Sequence, residues 1–248
     1  MPGTDRRRVY AIGDVHGCLD LLDGMLERIA DDLDRRPHDK PMIVFLGDYG
    51  DRGPDTRGVL DRLIELEQGP VPTGFLLGNH DFMFLDYLDA RPDAEAPRMD
   101  WLNRNLGGTQ TLASYGVRVG AFGQRRARED FAQAVPAAHV AFLKRAERLL
   151  EMGDYIFVHA GIHPGVPIAQ QQLTDLIWIR EPFLSDPRRH PGIVVHGHTI
   201  VERVENHGNR IAVDTGAVFT GNLSCVVLDG PRQELLTDAG PVELPVIR

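Results

Sequence analysis

Short apolar runs punctuate the chain at Val9–Ile12, Met42–Leu46, Phe75–Leu77, Tyr155–Val158, Ile193–Val195, Ile211–Val213 and Leu223–Leu228. Each is too short for a helix and reads as a buried strand. A last run at Leu235–Leu236 reads as an edge strand. Helical spacing follows the first three runs. Leu19, Leu22, Leu26 and Ile29 recur on one helix face, then Val59, Leu60, Leu63, Ile64 and Leu66 on another, and a third helix starts over Phe82–Leu88. Strand, loop and helix repeated three times predict an α/β fold. The later part is strand-rich with turns, which predicts antiparallel additions or a second sheet. Residues 91–152 break the rhythm. They are rich in proline, arginine and alanine, with Phe142, Leu143, Leu149 and Leu150 at helical positions. With too few apolar residues for a core of its own, this stretch reads as a helical insertion near the site of one domain spanning 1–248. Its Arg125, Arg126 and Arg128 read as a solvated helix face.

Four blocks stand just beyond the ends of apolar runs: Gly13-Asp14-Val15-His16-Gly17, Gly47-Asp48-Tyr49-Gly50-Asp51-Arg52-Gly53, Gly78-Asn79-His80-Asp81 and Gly197-His198-Thr199. His159 likewise follows the run ending at Val158. In α/β sheets, ligands bind beyond the carboxyl ends of the strands. A lone aspartate beside a glycine is ordinarily a turn residue, and a lone histidine is ordinarily packed. Four such blocks in order, each at a strand end, point to one site. Asp14 and His16 face the same way if extended geometry continues. The carboxylate of Asp48 can bridge two ions, Asn79 offers a neutral oxygen, and His159 and His198 offer imidazole nitrogens. Mixed nitrogen and oxygen donors suit manganese, iron, zinc or cobalt rather than calcium. Two such ions clamp a phosphoryl group and activate water.

Composition narrows the partners. The chain has 248 residues, 42% of them hydrophobic, which is enough for a sizeable core. Its net charge of −9 argues against a general nucleic-acid binder, and a small phosphorylated substrate stays open. Two cysteines, Cys18 and Cys225, form no disulfide framework, so a reducing, cytoplasmic setting is expected. Arg6, Arg7 and Arg8 precede only a short apolar run, so neither a signal peptide nor a membrane span is expected.

The order of the first three blocks resembles the signature of the phosphoprotein phosphatases, metal-dependent serine/threonine phosphatases of the calcineurin-like metallophosphoesterase group. The stretches Val213-Asp214-Thr215-Gly216-Ala217-Val218-Phe219, Gly221-Asn222-Leu223 and Trp178-Ile179-Arg180-Glu181 are similar to bacterial and phage members especially. The resemblance spans most of 9–228 and is loose in the insertion. It implies two mixed β-sheets in a sandwich flanked by helices. It also implies two divalent metal ions, manganese first, with iron, zinc, cobalt or nickel as alternatives. Asp14, His16 and Asp48 would hold one ion; Asp48, Asn79, His159 and His198 the other. Arg52 and Arg180 would bind phosphate oxygens, His80 would protonate the leaving alkoxide, and Asp51 would orient that imidazole. The implied reaction is hydrolysis of phosphoserine or phosphothreonine by metal-activated water, on a phosphorylated protein or a small phosphoester.

This sequence departs from the pattern at three places. Gly50 replaces an aliphatic residue, Leu77 stands where many protein phosphatases have arginine, and Asp81 replaces glutamate. Leu77-Gly78-Asn79-His80-Asp81 resembles the symmetrical diadenosine tetraphosphatases more, and those enzymes form the alternative reading. Against them stands Asp51, which they tend to lack. Ile200, two places after His198, departs from the nuclease-type relatives. A non-catalytic interaction module on this scaffold would be expected to have lost ligands, and none is lost. His196 reads as packed and Asp214 as fixing a loop or a ligand histidine. Cys18 reads as a burial residue and His163 as a turn residue. His38, His139, His190 and His207 read as surface residues.

Overall fold

The apolar runs become strands in the computed structural model, which describes residues 2–89, 100–120 and 123–247. In chain order the strands are β1 (Arg8–Ile12), β2 (Pro41–Phe45), β3 (Thr73–Phe75), β4 (Leu149–Met152), β5 (Tyr155–Val158), β6 (Ile193–His196), β7 (Glu205–Asn206), β8 (Arg210–Ala212), β9 (Cys225–Asp229), β10 (Arg232–Thr237) and β11 (Gly240–Glu243). The helices are α1 (Leu19–Arg35), α2 (Thr56–Glu67), α3 (Asn79–Tyr87), α4 (Gly108–Ser114), α5 (Gly123–Ala134), α6 (Ala137–Arg145), α7 (Leu173–Trp178) and α8 (Ala217–Thr220). One sheet runs β11-β10-β9-β1-β2-β3 and the other β4-β5-β6-β8-β7. Both are mixed. The β1–β2–β3 and β5–β6–β8 ladders are parallel, and the remaining pairs are antiparallel.

Alternation along the strands sets the layers. Val9 and Ala11 of β1 join Val44, Phe157, Val195 and Ile211 in an inner core drawn from both sheets. Tyr10 and Ile12, on the opposite face, join Leu22, Met25 and Ile29 of α1 and Leu63 of α2 in an outer core. Ile156 and Val158 of β5 belong to that outer core with Leu176 and Ile177 of α7. Both faces of each sheet are covered, which is why the central strands are continuous apolar runs rather than alternating ones.

The insertion supplies helices that share this core. Trp101, Leu112, Tyr115, Phe131 and Phe142 pack into it, with Phe131 and Trp101 edge-on to Phe84 of α3 at 5.2 and 5.8 Å between ring centres. Three expectations change here. Leu149 and Leu150 lie in β4, paired antiparallel with β5, rather than on a helix. Leu235 and Leu236 lie in β10, between β9 and β11, so β11 takes the edge. His139 is buried rather than superficial, between the Tyr115 hydroxyl at 2.6 Å and Asp61 at 2.9 Å. Arg125 and Arg126 do form an exposed face of i,i+4 ion pairs, while Arg128 turns back to Asp89 and the Tyr87 carbonyl. Part of the insertion, residues 90–99 and 121–122, lies outside the described residues. No helix among the described residues is long and apolar enough to cross a membrane.

Register brings the chemistry to one edge. Ile12 sits opposite both Phe45 and Cys225, and Val158 sits opposite His196, itself opposite Ala212. The parallel strands of each sheet therefore end level with one another, and their following loops emerge together.

Candidate active site

Asp48 is the hub. It follows β2 with φ +53°, one of five side chains of the predicted site held in the left-handed region with His16, Asp51, Arg52 and His198. Asp48 Oδ2 lies 3.6 Å from His16 Nε2, and Oδ1 lies 3.4 Å from His159 Nε2. Its carboxylate thus stands between two clusters with metal-ligand spacing, His16–Asp48–His80 and Asp48–His159–His198. Burial opposes its charge, and the surrounding imidazoles of His159, His80 and His16 outweigh that and hold it below the usual carboxylate range.

The histidines are oriented through their far nitrogens. His16 Nδ1–H donates to the Gly50 carbonyl at 2.7 Å, and His159 Nδ1–H donates to the Leu46 carbonyl at 2.8 Å. A carbonyl can only accept, so both Nε2 atoms carry lone pairs. His16 Nε2 accepts from the Arg52 guanidinium. His159 Nε2 faces Asn79 Oδ1 at 2.9 Å, and His198 Nδ1 reaches the same oxygen at 2.9 Å. Burial pushes His16 and His198 down to about 3 and lowers His159 too. Neutral imidazoles, a carboxylate and an amide oxygen pointing their lone pairs at one another form a donor set that suits divalent cations. The fit to two metal ions is good on that ground.

Asp14 closes the gap between the sheets. Its carboxylate accepts from the His198 backbone N–H at 3.1 Å, tying the loop after β1 to the loop after β6. Position 197 must be glycine for this approach, because a Cβ there would meet Asp14 Oδ1 at 2.1 Å. Asp214 lies beside Asp14 and accepts from Gly216 N–H at 2.8 Å, the loop-fixing role expected of it. Burial raises Asp14 well above the usual range, with the charges of Asp214 and Asp48 adding to it, and burial raises Asp214 to about 6. Asp14 and His16 would face the same way only if extended geometry continued past β1. Instead β1 ends at Ile12 and His16 has φ +46°, so a turn rather than pleat geometry aims that imidazole.

Asn79 and His80 open α3, a helix buried along most of its length. Its third residue, Asp81, accepts three backbone N–H bonds, from Asp48 at 2.8 Å, Tyr49 at 3.0 Å and Gly78 at 2.9 Å. That acidic side chain locks the second block to the third. His80 Nδ1 bonds Asp51 Oδ2 at 2.7 Å, and the His80 backbone N–H donates to Asp48 Oδ1 at 2.9 Å. Burial disfavours the His80 imidazolium, and the charges of Asp48 and Asp51 outweigh it and raise the pKa above the usual histidine value. Arg52 lies beneath the exposed Phe219 ring, 5.9 Å from its centre. Arg180 is exposed just past α7, and its charge is felt at His198. Leu77 is buried in the outer core, so no cation reaches the cleft from that position.

Nine of the ten predicted site residues are therefore linked in one network, and the tenth, Arg180, is exposed. Residues with no distinct sequence signal join them: Thr56, Trp101 and Thr111, which surround Asp51. His196 is packed against Phe183, as expected, and His163 is exposed in a turn held by Gln171.

The family model of the calcineurin-like phosphoesterases matches residues 7–220. The chain is 29% identical over 226 residues to serine/threonine-protein phosphatase 1 of Salmonella typhimurium, covering 88% of this chain and 90% of that protein. It is 30% identical over 165 residues to the symmetrical bis(5'-nucleosyl)-tetraphosphatase of Nitrosospira multiformis, covering 66% of this chain and 47% of that protein. In fold it is similar to the crystal structure of a putative diadenosine tetraphosphatase, with a TM-score of 0.64, 20% identity and coverage of 100% of this chain and 97% of that one.

Proposed function

Because the chain belongs to the calcineurin-like phosphoesterases, hydrolases of phosphate esters, we propose that it dephosphorylates phosphoserine and phosphothreonine residues. The observation that carries the reading is the buried His80–Asp51 pair at 2.7 Å, set directly beside Asp48. Likeness over nearly the whole chain to a serine/threonine-protein phosphatase supports the choice of substrate.

Asp14, His16 and Asp48 would hold one divalent ion, and Asp48, Asn79, His159 and His198 a second, with manganese as our first choice. Such ions, when bound, act as a Lewis acid on phosphoryl oxygens and lower the pKa of water. The remaining work falls to the chain. Arg52 and Arg180 offer planar forks of donors to the phosphate oxygens. His80 gives its Nε2 proton to the departing serine or threonine oxygen. Asp51 holds the Nδ1–H and supports the imidazolium before transfer. The free cysteines, Cys18 half-buried and Cys225 buried, fit a cytoplasmic setting.

A second reading, symmetrical hydrolysis of diadenosine tetraphosphate, is favoured by buried Leu77 and by Asp81. The deciding assay compares kcat/KM on a phosphoserine or phosphothreonine peptide and on diadenosine tetraphosphate, both with manganese. Preference for the peptide is expected; preference for the dinucleotide, releasing two ADP, overturns the first reading. His80→Asn is expected to keep its metal and to lose about 10²–10⁴-fold in kcat on poor leaving groups. Asp48→Asn is expected to lose both metal and activity, and normal metal content would refute its bridging role.

A further inference from the structure

Asp51 is gripped by chain that lies outside the four sequence blocks. Oδ2, which accepts from His80 Nδ1–H at 2.7 Å, also accepts from the Trp101 indole N–H at 2.6 Å. Oδ1 accepts from the Thr111 hydroxyl at 2.6 Å. The Asp51 backbone N–H donates to Thr111 Oγ1 at 3.0 Å and approaches Thr56 Oγ1 at 3.2 Å, and the two hydroxyls lie 2.9 Å apart. His80, Asp51, Trp101, Thr56 and Thr111 are all at most 2% exposed.

The protons of this cluster can be assigned. An indole only donates, so Trp101 requires Asp51 Oδ2 to be an unprotonated acceptor. The single proton of Thr111 goes to Oδ1, and the hydroxyl of Thr56 then serves the Thr111 oxygen. A carboxylate so saturated cannot rotate, and it can only accept from His80. Nδ1 must carry the shared proton, and the imidazole is fixed with Nε2 toward the cleft. The same segment also grips Arg52. Gly107, at φ +84°, accepts the Arg52 N–H at 3.3 Å, and a Cβ at 107 would meet that nitrogen at 2.3 Å.

We propose that Trp101 and Thr111, from the insertion, are positioning residues that fix the tautomer and direction of the His80–Asp51 pair for proton delivery. This rests on the reading of His80 as general acid. A buried tryptophan needs some acceptor in any fold. Here the acceptor is the oxygen already shared with His80, so its loss frees the carboxylate rather than a remote loop. The insertion is thus part of the proton-delivery apparatus as well as of the core.

The test uses full-length, metal-loaded Trp101→Phe, Thr111→Val, Thr111→Ser and His80→Asn. Each is assayed on p-nitrophenyl phosphate, whose leaving group needs no proton, and on a phosphoserine peptide, whose leaving group does. We expect Trp101→Phe and Thr111→Val to lose about 10–100-fold in kcat on the peptide. KM and metal content should hold, the aryl ester should be much less affected, and Thr111→Ser should restore the peptide rate. Equal losses on both substrates, or no loss on either, overturn the inference even where His80→Asn is selective for the peptide. If Trp101→Phe fails to fold, the Thr111 pair decides alone. A His80→Asn variant without that selectivity would instead sink the general-acid reading, and this inference with it.

Discussion

One acidic side chain at the first turn of α3 ties the loop after β2 to the start of that helix. Asp81 receives the backbone N–H groups of Asp48, Tyr49 and Gly78. An amide in its place would set its own N–H₂ against at least one of those donors. Asp81→Asn is therefore expected to cost about 1–3 kcal/mol, the range for a buried polar group left unpaired. Chemical denaturation of the two proteins measures it, and an unchanged midpoint would show that the three bonds are not needed. Most residues that gather at the candidate site were legible in the sequence because they stand in glycine-flanked blocks just past strand ends. Trp101 and Thr111 were not, since they reach Asp51 from 50 and 60 residues away and no spacing rule joins them. His139 was misplaced for the same reason: its partner, Asp61, is supplied by α2, 78 residues back.

At the scale of elements, α1 is bound to the first sheet by a partly buried cluster of charges. Asp32 accepts from the Tyr10 hydroxyl of β1 at 2.6 Å and from Arg36 at 2.8 and 2.9 Å. Burial alone would raise Asp32, and the bonds from Arg36 and Tyr10 outweigh it and hold it below the usual 3.8. A depressed acid stabilises the fold above its unfolded pKa and loses that contribution as pH falls through the folded one. Asp32→Asn is thus expected to be less stable by a constant margin at neutral pH, with the difference shrinking below about pH 4. Unfolding curves of both proteins from pH 7 to 3 check this, and a margin that grows with acid would contradict it. The central strands were legible because both faces are buried. β4 was not, because the adjacent pair Leu149 and Leu150 fits a helix as well as a strand, and only pairing with β5 separates the two.

The whole molecule is two sheets packed over a shared inner core, with acidic groups buried where the loops past their parallel strands meet. Asp14 and Asp48 come from the first sheet and His159 and His198 from the second. Burial, with the nearby charge of Asp48 adding to it, raises Asp14 and Asp214 there, so gathering these acids between the sheets carries an electrostatic cost. A divalent cation held between them would relieve it and clamp the sheets together. Manganese at about 100 times its dissociation constant is expected to add roughly 2.7 kcal/mol, and a chelator to remove it. Melting curves with manganese and with chelator measure the shift, and coincident curves would show that the cations do not join the sheets.

The left-handed backbone at His16, Asp48, Asp51, Arg52 and His198 bears on how this protein can change. Glycine would spare the backbone cost of this region, on the order of 1–3 kcal/mol for Arg52 and less for the aspartates and histidines, which enter it more readily. At Asp51 that saving is offset by the buried bonds to His80, Trp101 and Thr111. Heat resistance and turnover therefore draw on some of the same codons in opposite directions. A library screened for thermal survival alone, with chelator present, is expected to enrich glycine at Arg52 but not at Asp51, and the glycine survivors should be inactive. Lineages that stay active must find their added stability elsewhere, and the route to a hardier enzyme runs through the helices and outer strands rather than the cleft.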